Sequence, residues 1–402
     1  MKILMVAGAR PNFVKIAALI GEMRKHPEIH PVLVHTGQHC SNEMSGAFFS
    51  ELDIPCPDYD LGVRPDGVRM QITEIIQGLA DVMFRERPDG VLVVGDVNST
   101  LAGALAAKGL GIPVAHVEAG LRSFDRRMPE EINRVITDGV SNMLFASEPS
   151  GVENLLREGR PPESIFLVGN VMIDTLKRAL KRMRDIPLPT LESLFGPQDL
   201  PDRYAVLTLH RQGLVDDRVL FRRVWSVLQW VGRKIPIIFP VHPRTQFRLR
   251  EMGIEQAGGN SCQSATGIHM VPPLGYLEFL SLENRAAFVM TDSGGVQEET
   301  TALGVPCLTL RENTERPITV IEGTNTVTGL DPENICREVR RLLSGDTRQA
   351  RVPSLWDGRA AERIVRVLLA HFEPERQMLS ARSDVATTAY KDYAATMKGG
   401  WN

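Results

Sequence analysis

Short apolar runs alternate with longer segments of helical character along this chain. The runs are rich in β-branched residues and lack polar alternation, a pattern typical of strands buried on both faces of a parallel sheet. The segments between them, such as residues 70–87 and 100–109, have amphipathic or helix-forming composition. The pattern predicts an α/β protein with doubly wound sheets. Strands are predicted at residues 2–6, 31–35, 91–94, 113–117, 165–170, 204–209, 235–241 and 288–291.

The series is interrupted around residues 185–203, where the chain is rich in proline. Such a segment is typical of a linker between domains. The parts before and after it are alike in plan, and 402 residues exceed the usual size of one domain. We therefore expect two Rossmann-like domains that face each other across a cleft. From residue 373 onward the chain is polar, which predicts a surface or disordered extension.

Two carboxylates follow neighbouring predicted strands. Asp96 comes after residues 91–94, and Glu118 comes after residues 113–117. Parallel strands joined by a helix end at the same edge of the sheet, which is where open α/β sheets bind ligands. A third acid, Glu130, begins the next predicted helix. Carboxylates gathered at such an edge can transfer protons; alternatively, Asp96 and Glu118 only cap turns between strand and helix.

Two cations, Arg10 and Lys15, stand at the start of the first predicted helix. An anionic ligand would explain them, although both also suit a solvated helix face. The preceding turn lacks the G-x-G-x-x-G dinucleotide fingerprint, and no G-x-x-x-x-G-K-[ST] phosphate loop occurs in the chain. Nicotinamide cofactors and P-loop nucleotide chemistry are therefore not expected.

The segment TDSGGVQEE, residues 291–299, follows a predicted strand and opens a helix. Ser293, Gly294 and Gly295 would offer backbone N–H groups at the positive end of that helix, which suits a diphosphate. Glu299 has the wrong charge for phosphate but can accept both hydroxyls of a diol such as ribose. Arg316, in the following loop, would add a cation to the phosphates or pair with a nearby acid. The simpler alternative is a capped turn.

Two further histidine patterns bear on the chemistry. His210 ends a predicted strand; most single histidines are structural, but one at a cleft edge opposite three acids can take part in catalysis. His35 and His39 have a spacing that suits a metal on a helix. The predicted strand and Gly37 break that geometry, so no metal site is expected.

Composition bears on the binding partners, the state of the cysteines and the location of the protein. The chain is 43% hydrophobic and 24% charged, with a net charge of −3 and a pI near 6.3. The net charge of the chain therefore gives no electrostatic attraction to nucleic acid or to an acidic membrane. Five dispersed cysteines favour reduced thiols over disulfides or zinc. No signal-like region opens the chain and no apolar run is long enough to span a bilayer, so a cytoplasmic protein is expected.

In order along residues 1–329, the chain contains the segments GARPNFVKIAALI, TGQH, GDVNSTLA, HVEAGLRS, MPEEINR, GNVMID, LHR, PVHP, TDSGGVQEE and ERP. Together they resemble the non-hydrolysing UDP-N-acetylglucosamine 2-epimerase family. The resemblance implies a GT-B architecture with an N-terminal Rossmann-like domain at residues 1–175 that carries the catalytic carboxylates. It places a UDP-binding Rossmann-like domain at residues 176–358. Residues 359–402 would form a helix that crosses back to the first domain, and the polar tail.

The resemblance also implies roles for individual residues. Phe279 matches an aromatic near the uracil, and Leu274 stands where a relative has glutamine, so only its backbone is expected to take part. The family's catalytic carboxylates and histidine correspond to Asp96, Glu118, Glu130 and His210, and of these Asp96, Glu118 and His210 would also contact substrate. Its other nucleotide-sugar contacts correspond to Arg10, Lys15, Ser293, Gly294, Gly295, Glu299 and Arg316.

The implied activity is interconversion of UDP-N-acetylglucosamine and UDP-N-acetylmannosamine, through elimination of UDP to a bound 2-acetamidoglucal and re-addition. The resemblance implies no cofactor or metal, a homodimer, and a role in polysaccharide biosynthesis. The alternatives are an epimerase for a UDP-diacetamido-glucuronate sugar, a hydrolysing epimerase and a GT-B glycosyltransferase. A nucleotide-sugar sensor would leave the acids without a role.

Two segments depart from the family pattern. TGQH is followed by Cys40, Ser41 and Asn42, where bacterial relatives that bind a second, regulatory substrate molecule carry a longer polar and basic set. This difference argues against allosteric activation. His210 and Arg211 continue as Gln-Gly-Leu rather than Arg-Glu, which can alter the sugar pocket.

Overall fold

The computed structural model describes residues 1–37, 49–63, 68–185, 201–254 and 267–372. The chain divides into two compact units. Unit 1 comprises Met1–Lys177 and the segment from Ser354 onward, and unit 2 comprises Arg178–Pro353. Each unit is an α/β structure with its own parallel sheet.

Unit 1 contains a seven-stranded sheet in the order β3-β2-β1-β4-β5-β6-β7, in which all paired strands are parallel. Its strands are β1 Lys2–Ala7, β2 His30–His35, β3 Tyr59–Asp60, β4 Gly90–Val94, β5 Val114–Ala119, β6 Met143–Ala146 and β7 Ile165–Leu167. Its helices are α1 Arg10–Met23, α2 Val68–Glu86, α3 Asn98–Gly109, α4 Pro129–Val140, α5 Pro149–Arg157, α6 Val171–Asp185, which runs into unit 2, and α14 Ala360–Phe372.

The central strands of unit 1 are apolar because helices cover the sheet. Strand β4, GVLVV, is buried at every position. On one face, Ile75 and Leu79 of α2 pack with Val6 and Val93 in a single apolar cluster. Burial of a Leu or Ile side chain stabilises the fold by about 1.5–3 kcal/mol, so this pattern fixes which helix faces meet the sheet.

The order of strands in unit 1 reverses between β1 and β4. From β1 the chain builds outward to β3, and from β4 it builds the other way to β7. The loops after β1 and β4 therefore diverge and leave a crevice at the carboxyl ends of these strands, the usual ligand position in such sheets. Arg10 follows β1, Asp96 follows β4, and Glu118 lies at the end of β5.

The last described helix, α14, belongs to unit 1 although it follows unit 2 in the chain. The buried Asp174 of α6 accepts hydrogen bonds from the amides of Ala360 at 3.1 Å and Ala361 at 2.7 Å, and so satisfies the start of α14. At the other end the ring of Phe372 lies against Gly90, where a Cβ would come within 2.6 Å of it. Both ends of α14 are therefore fixed within unit 1.

Unit 2 contains a six-stranded parallel sheet in the order β10-β9-β8-β11-β12-β13, which reverses between β8 and β11. Its strands are β8 Ala205–Thr208, β9 Ile237–Pro240, β10 Ile268–Val271, β11 Phe288–Thr291, β12 Cys307–Thr309 and β13 Asn325–Val327. Its helices are α7 Gln212–Val215, α8 Arg218–Gly232, α9 Pro243–Glu251, α10 Tyr276–Arg285, α11 Gly294–Leu303, α12 Pro317–Ile321 and α13 Pro332–Leu343.

The predicted α/β class is confirmed, and every predicted strand occurs with small shifts at its ends. Glu118 lies inside β5 rather than after it. Residues 168–170 were wrongly included in a strand, because the Asn170 side chain accepts the Met172 amide at 2.9 Å where α6 begins. Strands β3, β12 and β13 were not predicted because they are only two or three residues long, and β10 was not predicted because its sequence, IHMV, is only partly buried and includes a histidine.

Several expectations concern residues outside the described ranges. They include the linker at 186–200, the polar tail from 373, Gln38, His39, Cys40, Ser41 and Asn42, and Cys262. In the described part, the cysteines Cys56, Cys307 and Cys336 are free thiols. None of the helices described there combines the length and apolar character that a membrane span requires.

Candidate active site

The backbone of Glu118 is held in an unusual conformation. Its φ is +73°, in the left-handed region, where a residue with a side chain is strained by about 1–3 kcal/mol. The register of β5 with β6 shifts between Val117 and Ala119, so a bulge re-aims the Glu118 side chain. Gly120 follows with φ +81°, and a Cβ there would lie 2.2 Å from the Gly151 carbonyl oxygen. Such strain is common at functional sites.

Lys15 of α1 forms an ion pair with Glu118, and each side chain is only 5% exposed. Gly95, the residue before Asp96, allows this approach, because a Cβ on Gly95 would lie 2.9 Å from the Lys15 ammonium nitrogen. The cation of the first helix and two of the predicted acids are thus brought together at the crevice of unit 1. Lys15 therefore does not lie on a solvated helix face.

Asp96 is held by two side chains of α4. Its carboxylate lies 2.5 Å from an Arg134 guanidinium nitrogen, and its carbonyl accepts the Asn133 amide at 2.9 Å. The N-cap of α3 is Val97, and Asp96 directly precedes it. Arg134 also pairs with the buried Glu131 at 2.6 Å. Helix α4 therefore positions Asp96 through the side chains of two adjacent residues, Asn133 and Arg134.

Glu130 occupies the first turn of α4 and is half-buried. Among the described residues its carboxylate has no hydrogen-bond or ion-pair partner. The adjacent Glu131 is the structural acid of this turn, since it accepts the amides of Ser123 at 2.9 Å and Phe124 at 2.8 Å. Burial opposes ionisation of Glu131, but these bonds and Arg134 hold its pKa below the usual value. Of the two acids, Glu130 is the one left available to a ligand.

Arg10 is the first residue of α1 and is half-buried. Its turn is fixed by Asn12, whose side-chain oxygen accepts the amides of Gly8 at 3.1 Å and Ala9 at 3.2 Å. The Asn12 amide nitrogen donates to the Val94 carbonyl at 2.9 Å. This side chain therefore joins the ends of β1 and β4, the two strands that flank the crevice.

In unit 2, His210 is oriented by a buried carboxylate. Strands β8 and β11 pair with Thr208 opposite Thr291, which places the residues after them side by side. The Asp292 carboxylate lies 2.9 Å from the His210 Nδ1 and accepts the amides of His210 and Arg211. Burial would raise the pKa of Asp292, but His210 and these hydrogen bonds hold it below the usual value. His210 itself is 41% exposed, so the ring remains open to a ligand.

The start of α11 lies at the same edge of unit 2. Ser293 precedes the helix, and the first amides, at Gly294 and Gly295, lack partners within a helix by geometry. A Cβ on Gly294 would lie 2.3 Å from an Arg316 nitrogen and 2.8 Å from a Glu315 oxygen. Glycine is therefore required here for the guanidinium to lie against the helix start, a combination that suits an anion.

Arg316 is buried in a cluster of charges. Its guanidinium pairs with Glu298 at 2.8 Å and with Glu315 at 2.5 Å. Glu315 also pairs with Arg311 at 2.7 Å and with Arg211 at 3.4 Å. Burial opposes the charge of Glu315, but the three arginines hold its pKa well below the usual value. Arg316 was expected either to contact the phosphates or to pair with a nearby acid. The structure contains the pairing with acids.

Glu299 lies on α11 facing α10. Its carboxylate accepts the Tyr276 hydroxyl at 2.9 Å. Burial raises the pKa of Glu299 to about 7, with a smaller upward contribution from Glu298 and an opposing one from the tyrosine. Burial, and then the charge of Glu299, raise the pKa of the neighbouring Glu283 well above its usual value. Glu299 is therefore a buried acceptor that titrates near neutrality.

Three other predicted positions are packed in apolar surroundings. Leu274 is buried in an apolar cluster of unit 2, and Phe279 packs against that cluster. His35 is buried beside Phe13 and lies 3.3 Å from an Asp60 oxygen. Within the described residues, no three His, Cys, Asp or Glu side chains form a group that could hold a metal ion.

The sequence pattern misses the residues that orient these groups. Arg134 and Asn133 stand in the segment MPEEINR, and the i, i+3 spacing of Glu131 and Arg134 was the available signal. Asp292 stands inside TDSGG, directly before the predicted diphosphate site. Tyr276 carries no comparable signal, because its pairing with Glu299 depends on how two helices pack.

The chain has two parallel sheets with one reversal of strand order in each, and solved structures of other proteins share its fold. A lipopolysaccharide outer core galactosyltransferase has a TM-score of 0.50 at 12% identity over 92% of this chain and all of that chain, which shows a common fold alone. The chain therefore belongs to the GT-B class of α/β proteins, built from two Rossmann-like units.

The family model of the UDP-N-acetylglucosamine 2-epimerases matches residues 21–369. The UDP-GlcNAc 2-epimerase of Methanocaldococcus jannaschii is 41% identical over 92% of this chain and 99% of its own, and its complex with UDP-GlcNAc and UDP has a TM-score of 0.84. The UDP-2,3-diacetamido-2,3-dideoxy-D-glucuronate 2-epimerase of Pseudomonas aeruginosa is 38% identical over 92% of this chain and 99% of its own. The chain belongs to the UDP-N-acetylglucosamine 2-epimerase family and is an isomerase.

The raised pKa of Glu299 predicts a change of stability with pH. Glu299 ionises near pH 7 when folded and near 4.5 when unfolded, so stability falls as pH rises between these values. Glu299→Gln cannot ionise but keeps an acceptor for Tyr276. Its free energy of unfolding should match that of the wild type at pH 4.5 and exceed it above pH 7, by on the order of 3 kcal/mol.

Urea unfolding from pH 4.5 to 8.5 measures this difference. Glu333→Gln, at an exposed glutamate of α13, is the control and should show no such divergence. A constant difference between Glu299→Gln and wild type across the range would contradict the prediction.

Proposed function

We propose that the chain interconverts UDP-N-acetylglucosamine and UDP-N-acetylmannosamine without releasing the sugar. The relative from Methanocaldococcus jannaschii is named UDP-N-acetylglucosamine 2-epimerase, and its solved complex contains UDP-GlcNAc and UDP. The observation that carries the proposal is the crevice of unit 1, where the strained, buried Glu118 pairs with Lys15 beside Asp96. Inversion of a carbon next to the anomeric centre requires one group that removes a proton and another that returns it.

The reaction is an elimination followed by an addition. The bond between C1 and the diphosphate oxygen breaks, and its electron pair leaves with UDP. A base takes the proton from C2, and the C1–C2 double bond of 2-acetamidoglucal forms. A second acid then protonates C2 from the other face while the diphosphate oxygen re-attacks C1. The sequence is balanced without a redox cofactor, and Asp96, Glu118 and Glu130 are the proposed proton carriers.

The C2 hydrogen is not acidic, so the diphosphate must depart early and its growing negative charge must be stabilised. We assign this role to the start of α11 at Ser293, Gly294 and Gly295, with Arg316 against it. Arg10 and Lys15 are proposed to add positive charge from unit 1. His210, oriented by Asp292, would contact the diphosphate or a sugar hydroxyl.

The nucleoside is proposed to bind to unit 2. Glu299 would accept the two ribose hydroxyls, because a carboxylate can accept both together. Phe279, half-buried at the edge of its apolar cluster, would contact the uracil, and the Leu274 backbone would pair with it.

A second candidate substrate is a UDP-diacetamido-glucuronate sugar, favoured by the 38% identity with the Pseudomonas aeruginosa enzyme. A GT-B glycosyltransferase would require an acceptor, and a hydrolysing epimerase would release UDP.

Incubation with either UDP-sugar in heavy water, followed by NMR, separates these activities. The proposal requires deuterium at C2 of UDP-GlcNAc and UDP-ManNAc while UDP remains attached. Release of free sugar, or no exchange, would reject it.

Glu118→Gln should lower the rate of C2 deuterium exchange by about 10³-fold, because the amide can neither remove nor return a proton. UDP affinity, measured by calorimetry, should not fall, because the nucleotide contacts proposed in unit 2 are unchanged and Lys15 keeps its charge when it loses Glu118 as a partner. Glu153→Gln, on α5 of unit 1, is the control and should exchange at the wild-type rate. Near wild-type exchange by Glu118→Gln would remove Glu118 from the mechanism.

Gly294→Ala should weaken UDP binding about tenfold, equivalent to about 1.4 kcal/mol. The new methyl group would meet the Arg316 guanidinium and displace it from the helix start. Gly109→Ala is the control, because a Cβ there has no neighbour within 4 Å. Calorimetric titration with UDP measures both variants, and unchanged affinity of Gly294→Ala would exclude the diphosphate from this position.

The proposal includes a homodimer and the cytoplasmic location expected from the sequence. Helix α4 exposes Ile132, Val135 and Ile136 at 38–40%, one apolar face at i, i+3, i+4 spacing. A second copy would cover this face in a two-fold dimer, the commonest assembly. Light scattering should give a dimer for the wild type and a monomer for Ile136→Asp. Ile321→Asp, at a more exposed isoleucine of unit 2, is the control and should remain dimeric. A monomeric wild type would reject the proposed dimer.

A further inference from the structure

A buried histidine in unit 1 connects the segments that carry the proposed proton carriers. His116 lies in β5 between β4 and β6 and is fully buried. Its Nδ1 lies 2.6 Å from an Asp138 oxygen of α4, and its Nε2 lies 2.8 Å from the Gly95 carbonyl oxygen. An apolar side chain would fill the same space, so these two polar contacts require a reason.

The partners determine where the hydrogens lie. A carbonyl oxygen only accepts, so the Nε2 of His116 carries a hydrogen. The second oxygen of Asp138 accepts the Gly120 amide at 3.0 Å and faces an Arg122 nitrogen at 2.7 Å, which requires an ionised carboxylate. Burial opposes that ionisation, but His116 and Arg122 lower the pKa of Asp138 below its usual value. The Nδ1 of His116 therefore faces an ionised carboxylate at 2.6 Å.

These bonds end at the backbone beside the carboxylates. Gly95 precedes Asp96, and Gly120 follows Glu118 by two residues; both glycines have a left-handed φ, of +70° and +81°. Asp138 belongs to α4, the helix whose first turn carries Glu130. The buried pair of His116 and Asp138 is thus bonded to all three segments that carry the acids.

We propose that His116 and Asp138 are positioning residues for the epimerase reaction, holding the backbone that aims Asp96 and Glu118. This inference rests on the proposed function of those carboxylates. A purely structural pair would affect stability and leave the chemistry of the folded enzyme unchanged. A positioning pair affects kcat in folded enzyme, because a displacement of about 1 Å at a reacting group can cost about 100-fold in rate.

Two substitutions separate the two bonds of His116. In His116→Asn the side-chain nitrogen replaces Nδ1, so the bond to Asp138 is kept and the bond to Gly95 is lost. In His116→Gln the nitrogen replaces Nε2, so the bond to Gly95 is kept. We expect kcat for C2 exchange to fall about 100-fold in His116→Asn and about tenfold in His116→Gln. KM and UDP affinity should change less than threefold in both.

Rates are expressed per UDP-binding site, so chains that fail to fold do not contribute. Asp138→Asn, of equal size, provides a third variant and should also lower kcat with little change in KM. Hydrogen exchange followed by mass spectrometry should show faster exchange at residues 95–98 and 118–121 in the histidine variants, with the strands of unit 2 unchanged.

The outcomes are distinct. Absence of C2 exchange in the wild type would reject the proposed function and this inference with it. Wild-type exchange together with unchanged kcat in all three variants would overturn the inference alone. A parallel loss of UDP affinity and kcat would also overturn it, because it would show a general structural effect.

Discussion

Buried pairing of opposite charges at the carboxyl ends of the strands is the interaction on which the candidate site depends. Glu118 has a backbone conformation that is unfavourable by itself, and it persists because a bulge, Gly120 and Lys15 all constrain it. Removing one partner from such a pair leaves an uncompensated buried charge, which costs about 3–5 kcal/mol. The geometry of the acids is therefore coupled to the stability of the sheet edge.

Unit 2 uses the same principle with a different set of residues. Asp292 fixes His210, and Glu315 gathers arginines at the start of α11. In both units the groups proposed to meet the ligand lie on strand ends and helix starts, and their partners are buried behind them. This arrangement prepares the site before a ligand arrives, which reduces the reorganisation needed during reaction.

The sequence predicts the sheets because runs of β-branched residues and their helical connections are local signals. It also indicates the glycine turn at Ser293 and the acids at Asp96 and Glu118, since strand ends can be located from the same pattern. The partners of those acids could not be predicted. The pairing of Lys15 with Glu118 and of Arg134 with Asp96 depends on which helix packs beside which strand, and the left-handed backbone of Glu118 has no sequence signature.

The discontinuity of unit 1 affects how the chain is made. Helix α14 completes unit 1 but is translated only after the whole of unit 2, and its start is capped by Asp174 from the other side of that insertion. Until α14 has been synthesised, the surface of unit 1 that this helix covers is therefore exposed. This interval exposes apolar residues such as Ile3, and exposed apolar surface in an incomplete chain promotes aggregation.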